Sequence, residues 1–270
     1  MAHTWKLSSV GYVVFAIMIF LTGVILSIVT QRRDNSSDRS CTDTLREVTQ
    51  ALRNYESING AFPSTSVPSA LSDPSDSLSW YVSVWPYIAP GLDLSPDLSQ
   101  PWYNPGNLNM SIVPRWSEDR NARRATIRDI TAFTCGSGRS RMTQYNVYPA
   151  TFVGNAGVGS DSAQLAVAHP RAGVFGLSRH TKLSDIRDGT SNTLLLIDTS
   201  QRLGPWIAGG DATVRSFLPH ELPYVGRRGQ FGGNEGEYAI ASLADGSVRT
   251  IPKDIDGSVF RALFTINGGD

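Results

Sequence analysis

The side chains able to carry chemistry are few and scattered. His3, His169, His180 and His220 are the only histidines, and none falls in the H-E-x-x-H spacing that sets two imidazoles on one helix face over a zinc ion. No G-x-S-x-G elbow presents a serine nucleophile. Asp254-Ile255-Asp256-Gly257 and Asp185 with Asp188-Gly189 have the flavour of calcium loops. Neither completes the D-x-D-x-D-G ligand pattern, and aspartates at such offsets serve turns and caps. Cys41 and Cys135 lack the short paired spacing of a zinc site; in an oxidising compartment they can close one disulfide, and otherwise they remain two thiols. The glycines of Tyr148 to Gly157 have neither a Lys-Ser/Thr ending nor the dinucleotide spacing, so they read as a short strand entering a turn. Trp80, Trp85, Trp102, Trp116 and Trp206 either line a carbohydrate site or fill a core. The expectation is therefore no catalytic, cofactor-binding or metal-ligating residue.

Composition narrows the partners. Lys+Arg and Asp+Glu are equal at 24 each in 270 residues, so no global field favours nucleic acid. Arginine is locally frequent at Arg115, Arg120, Arg123, Arg124, Arg128, Arg139 and Arg141, which is either a solvated face or a surface for anionic lipid or an acidic polymer.

The elements that must position these residues begin with Gly11 to Thr30, twenty residues without a charge. A helix of that length covers the ~30 Å hydrocarbon core of a bilayer. It is too long for a signal-peptide core and runs into Ser27-Ile28-Val29-Thr30-Gln31-Arg32-Arg33 without an A-x-A-like site, so it reads as a membrane span. A short tail (1–10) precedes it and a juxtamembrane linker (31–39) follows. Lys6 before the span and Arg32, Arg33 and Arg39 after it would, counted alone, keep the body in the cytoplasm.

From Ser40 to Gly60, Cys41, Leu45, Val48, Leu52 and Tyr55 recur at helical spacing, with Arg46, Glu47, Gln50, Arg53 and Asn54 elsewhere. That predicts an amphipathic helix ending at Asn59-Gly60. Were 34–37 also helical, one rod of about fifty residues would run from the membrane into the body. Ser64 to Ser77 has the composition of an exposed loop, Trp80 to Ile88 that of a packed helix or strand, and Gln100 to Asn107 that of an ordered turn. A polar turn from Leu183 to Thr193 feeds Leu194 to Asp198, a strand buried on both faces. Tyr238 to Ile251 reads as a hairpin with a two-residue type I′ turn at Asp245-Gly246. Asp256 caps a last helix with Val259, Phe260, Leu263 and Phe264 inward, ended by Asn267-Gly268-Gly269.

These stretches together resemble a large bacterial pseudopilin-like, prepilin-type family of unknown function, also described as solute-binding-protein-like. The resemblance rests on Cys41 to Pro63, Ser79 to Tyr87, Pro101-Trp102, Phe133-Thr134-Cys135, Ile186 to Asn192 with its Asp188-Gly189-Thr190-Ser191-Asn192 core, Ala244 to Arg249 with Asp245-Gly246, Arg261-Ala262-Leu263 and Asn267 to Asp270. Two positions depart from it. Ala16 stands where the pilin glutamate would be, and Glu235 stands where the family's C-terminal motif has its histidine before Asp245-Gly246.

The resemblance implies an α+β, type IV pilin-like fold: a long N-terminal helix, half membrane span and half amphipathic, packed on an antiparallel sheet with long loops. It implies an extracytoplasmic domain over 40–270, against the flank charges, and a single-pass protein of the cytoplasmic membrane related to type II secretion pseudopilins. The implied role is structural or secretion-associated, without catalysis and without cofactors. The implied partners are the lipid bilayer and pseudopilin-like subunits or envelope components, not nucleic acid. The alternative is an extracytoplasmic ligand- or carbohydrate-binding module.

Overall fold

The computed structural model describes residues 18–19, 41–69, 71, 73–90, 94–111, 134–135, 143–145, 147–233 and 236–269. The chain divides into two units, Met1–Ser40 and Cys41–Asp270. Of the first, Met18 and Ile19 are described; both are helical and exposed. Among the described residues no helix is long and apolar enough to cross a membrane. Apart from those two residues the apolar stretch 11–30, with its flanks 1–10 and 31–39, lies outside the described residues, as does nearly all of the arginine-rich stretch from 115 to 141.

Helix α1 runs through 41–59 and follows its apolar periodicity: Cys41, Leu45, Val48 and Leu52 are buried, while Arg46, Glu47, Gln50 and Asn54 are exposed. Gly60 ends it in the left-handed region (φ 77), its N–H donating to the Glu56 carbonyl at 2.7 Å, a conformation only glycine adopts without a Cβ penalty. Helix α2, Trp80–Ile88, is one packed face of Trp80, Tyr81, Val84 and Trp85. Its polar atoms are spent on the core: Tyr81 donates to the Phe152 carbonyl at 2.6 Å and the Trp80 indole to the Thr213 carbonyl at 3.1 Å. Burial pushes the Tyr81 phenol well above its ordinary pKa. The turn expected after Gln100 extends into helix α3, Pro105–Ser111.

Five strands form the sheet: β1 Phe152–Val158, β2 Leu194–Asp198, β3 Val214–Phe217, β4 Tyr238–Leu243 and β5 Val248–Pro252, in the order β3-β1-β2-β4-β5. The pairs β1/β2, β2/β4 and β4/β5 are antiparallel (Val153↔Ile197, Leu196↔Ser242, Ala241↔Arg249). β3 lies parallel to β1 (Gly154↔Val214), so the sheet is mixed and not wholly antiparallel as expected. The chain forms β2 on one side of β1, then returns to its other edge in the direction of β1, which the long β2–β3 connection permits.

β1 also runs through the glycines that were expected to end it. A Cβ on Gly154 would lie 2.6 Å from the Phe175 ring, and one on Gly157 (φ +112) would lie 2.1 Å from the Arg171 carbonyl. These glycines admit the close approach of the 171–175 segment to the strand.

Both faces of the sheet are covered. Leu45, Val48, Leu52, Trp80, Trp85, Phe152, Leu196 and Ile240 share one core, and Val153, Ile197, Phe217, Phe231, Phe260 and Phe264 share the other. Central β2 is buried at every residue, Leu194 to Ile197 as their apolar run predicts and Asp198 with its carboxylate accepting from the Ile240 N–H at 2.8 Å. The second layer includes helix α4, Gly257–Leu263, capped by the Asp256 carboxylate, which accepts from the Ser258 and Val259 N–H groups. Phe260 and Phe264 point inward, but Val259 is 54% exposed, and α4 stops before Asn267. The segment expected to be an exposed loop is likewise partly interior: Ser64, Thr65, Ser66 and Ser77 are buried, with the Phe62 and Thr65 N–H groups donating to the Thr181 and Gly176 carbonyls.

Candidate functional site

The motif residues converge on one corner, where the loop entering β2 meets the β4–β5 turn. Asp188 and Gly189 begin that loop, Gly189 in the left-handed region (φ 97). Asn192 closes it by donating from its side chain to the Asp188 carbonyl at 3.1 Å and from its backbone to the Gly189 carbonyl at 3.0 Å. The Thr190 carbonyl accepts from the Asp245 N–H at 3.0 Å, and the Thr193 carbonyl from the Ala244 N–H at 2.9 Å. The two motif stretches, more than fifty positions apart in the chain, are thus joined backbone to backbone; Ser191 stays exposed at the loop tip.

The β4–β5 connection differs from the predicted type I′ turn. Gly246 donates to the Leu243 carbonyl and Leu243 to the Ser247 carbonyl, both at 2.9 Å. Gly246 alone has positive φ (93), and Asp245 does not. This is a type I turn closed by a left-handed glycine, the three-residue solution to hairpin twist. Asp245 serves the turn through its side chain, accepting from the Ser247 N–H at 2.8 Å and hydroxyl at 2.7 Å. Partial burial opposes its ionisation, but those bonds, with Arg249 and Arg53 nearby, hold its carboxyl below the usual range. Arg53 of α1 donates to the Ala244 carbonyl at 2.8 Å, fastening the corner to the helix.

The Asp188 carboxylate is fully engaged as well. It accepts from the Thr265 hydroxyl at 3.0 Å and from the Gly268 and Gly269 N–H groups at 2.6 and 3.1 Å, so it grips the C-terminal segment. The hydroxyl of buried Thr193 lies 3.2 Å from both the Gly189 and Thr265 carbonyls, between which its one proton is shared. Chemically the corner is a joint: its carboxylates are acceptors for the fold's own donors. Glu235 lies outside the described residues.

Cys41 and Cys135 are joined in a disulfide, with Cα atoms 5.2 Å apart across a separation of 94 residues. Closing a loop of that length is worth about 4–5 kcal/mol in the chain-entropy account.

The remaining chemistry-bearing residues do not assemble. His180 and His220 are exposed and His169 accepts from the Arg171 N–H through Nδ1 at 3.1 Å. Among the described residues no three His, Cys, Asp or Glu side chains gather as a metal site. Trp80, Trp85, Trp102 and Trp206 are all buried, so they offer no stacking face to a sugar; Trp116 lies outside the described residues.

No curated protein and no solved structure matches the chain. The model of a family described as a protein of unknown function (DUF1559) matches residues 38–221. That span takes in α1, both cysteines and the loop 188–192, and stops short of Glu235, Asp245 and Gly246. On this match, which covers most of the chain and every element from α1 to β3, the protein belongs to the DUF1559 family.

Proposed function

We propose that the chain is a membrane-anchored, extracytoplasmic protein of pseudopilin-like build, with a structural or secretion-associated role and no catalytic step. The observation that carries this reading is the Cys41–Cys135 disulfide at the start of the folded unit. Such bonds persist in oxidising compartments, which favours a body outside the cytoplasm and outweighs the flank count of Arg32, Arg33 and Arg39. The uncharged stretch 11–30 is long enough to hold that body at a bilayer. A role without catalysis is supported by the motif corner, where Asp188 and Asp245 are consumed as acceptors.

The proposed partners are the lipid bilayer and pseudopilin-like subunits or other envelope components; the balanced net charge gives no attraction for nucleic acid. Ala16, in place of the pilin glutamate, argues against docking into a filament by the usual charge pair. A phosphatase that is active only outside the cytoplasm, fused after Asp270, tests the topology. The expected result is an active fusion in the salt-washed membrane fraction. An inactive fusion reverses the orientation, and a fully soluble protein retaining its first thirty residues removes the anchor.

A further inference from the structure

Beside β3 the fold leaves a groove in which a half-buried guanidinium has, among the described residues, no ion-pair partner. Three clefts of about 170, 360 and 470 Å³ adjoin there, all lined in part by Leu218. Arg202 and Arg215 line the first two, Arg228 joins them in the first, and Arg261 lines the third. The acids on these walls are Glu221 and Asp211.

Arg215 lies on β3, half-buried, with its Nε enclosed and without a hydrogen-bond partner. Its Nη2 donates to the Arg202 carbonyl at 3.1 Å, and among the described residues it joins no ion pair. Burial and the neighbouring Arg202 guanidinium push its pKa down to about 10, Asp211 opposing, which leaves it charged at neutral pH. A guanidinium has five N–H donors in a planar fork. Among the described residues Arg215 makes one bond for its five donors, and in a partly desolvated position that is a cost that an oxyanion would offset.

The surroundings are arranged around that fork. Arg202, a non-glycine residue, is held in the left-handed region (φ 50), a conformation that persists where its surroundings over-determine it. Its carbonyl receives Arg215, and its side chain pairs with Glu221 at 2.7 Å in an exposed geometry. Exposed pairs of this kind are weak, so Arg202 can be drawn from Glu221 to an incoming anion.

We propose that this groove binds an extended polyanion, with Arg215 as the anchoring cation for one carboxylate or sulfate and Arg202 as the second. The cations continue along the walls to Arg228 and Arg261, which suits a ligand carrying repeated charges better than a single ion. A free oxyanion shares the same chemistry at the anchor.

The test is calorimetric titration of the full-length protein in non-ionic detergent with a short sulfated oligosaccharide and, separately, with inorganic sulfate. The oligosaccharide is expected to bind about tenfold or more tightly than sulfate, with affinity falling as salt rises. R215Q is expected to weaken it about tenfold, R202Q less, and E221Q to tighten it about threefold by freeing Arg202. R187Q, on an exposed loop elsewhere, serves as the unchanged control. R202Q and E221Q alter exposed side chains, so they report even where R215Q disturbs folding. Absence of binding, or equal binding by R215Q, R202Q and wild type, overturns the site. Equal affinity for sulfate and oligosaccharide, both lost in R215Q, overturns the polyanion and leaves a free oxyanion as the occupant. None of these outcomes depends on membrane orientation, so they stand apart from the topology experiment.

Discussion

Arg179 and Arg215 are both pushed by burial to a pKa of about 10, yet the regions around them treat the charge in opposite ways. Arg179, 6% exposed, donates to the carbonyls of Ala156, Ser162, Leu165 and Phe175. It stitches β1 to the 162–175 connection that its glycines admit. Among the described residues Arg215 donates to a single carbonyl, and it lines open clefts. Both leave Nε unbonded, so the contrast lies in the other donors. Where the guanidinium's bonds close within the chain it is a structural staple; where they do not, the surface is incomplete without a ligand.

The strongest way to break that contrast is Arg179→Met. It removes a donor from four carbonyls, of which those of Ala156 and Ser162 keep the Gly173 and Leu165 N–H groups, and the expected loss is about 3–5 kcal/mol in urea unfolding; a loss under about 1 kcal/mol would make Arg179 no different from a surface residue. Next is Asp188→Ala, which frees the Gly268 and Gly269 N–H groups and leaves the Thr265 hydroxyl to the Ala262 carbonyl. About 1–3 kcal/mol should be lost, and amide exchange at 268–269 should accelerate well before the sheet responds.

A smaller effect separates Arg171 from Arg215 on the same groove. Arg171 has its carboxylate: Asp161 meets it at 2.6 and 2.7 Å. Chiefly through that bond, the Asp161 carboxyl is lowered from 3.8 to about 2. A depressed folded pKa stabilises fully above the unfolded value and is lost as pH falls through the folded one. The contribution should therefore hold above pH 3.8 and fade toward about pH 2, and D161N should flatten that part of the acid-unfolding curve. The smallest expected effect is Arg215→Met without ligand, a change within about 0.5 kcal/mol or a slight gain, since an unpaired, partly buried charge is removed. A large loss there would turn Arg215 into a second staple and dissolve the contrast.

Legibility in the sequence followed the same division. α1 was readable because Cys41, Leu45, Val48 and Leu52 repeat with the helix, and β2 because Leu194 to Ile197 is apolar without interruption. The hairpin at Asp245-Gly246 was readable as a hairpin but not in its turn geometry, which depends on where the strands stop pairing. β1 was misread at Gly154 and Gly157, because a glycine that admits a neighbouring chain looks the same as one that ends a strand. β3, four residues with Arg215 and Ser216 between Val214 and Phe217, carries too short a pattern to announce a strand. Its parallel pairing with β1 is a long-range choice that no local signal encodes. The Asp188 loop was legible as a motif, but its grip on residues 268–269 was not. Arg202 and Arg215 lie thirteen positions apart in unremarkable sequence, and only the fold brings the Arg202 carbonyl to the Arg215 guanidinium.

The bond between Cys41 and Cys135 also changes how the folded unit would bear a mechanical load. A pull on the backbone at residue 41 meets a covalent branch in the first described turn of α1. Part of the tension passes directly to residue 135 instead of peeling the helix away turn by turn. The bridge acts as a bracket at the head of the folded unit, and reducing it should lower the force at which 41–59 strips from the sheet.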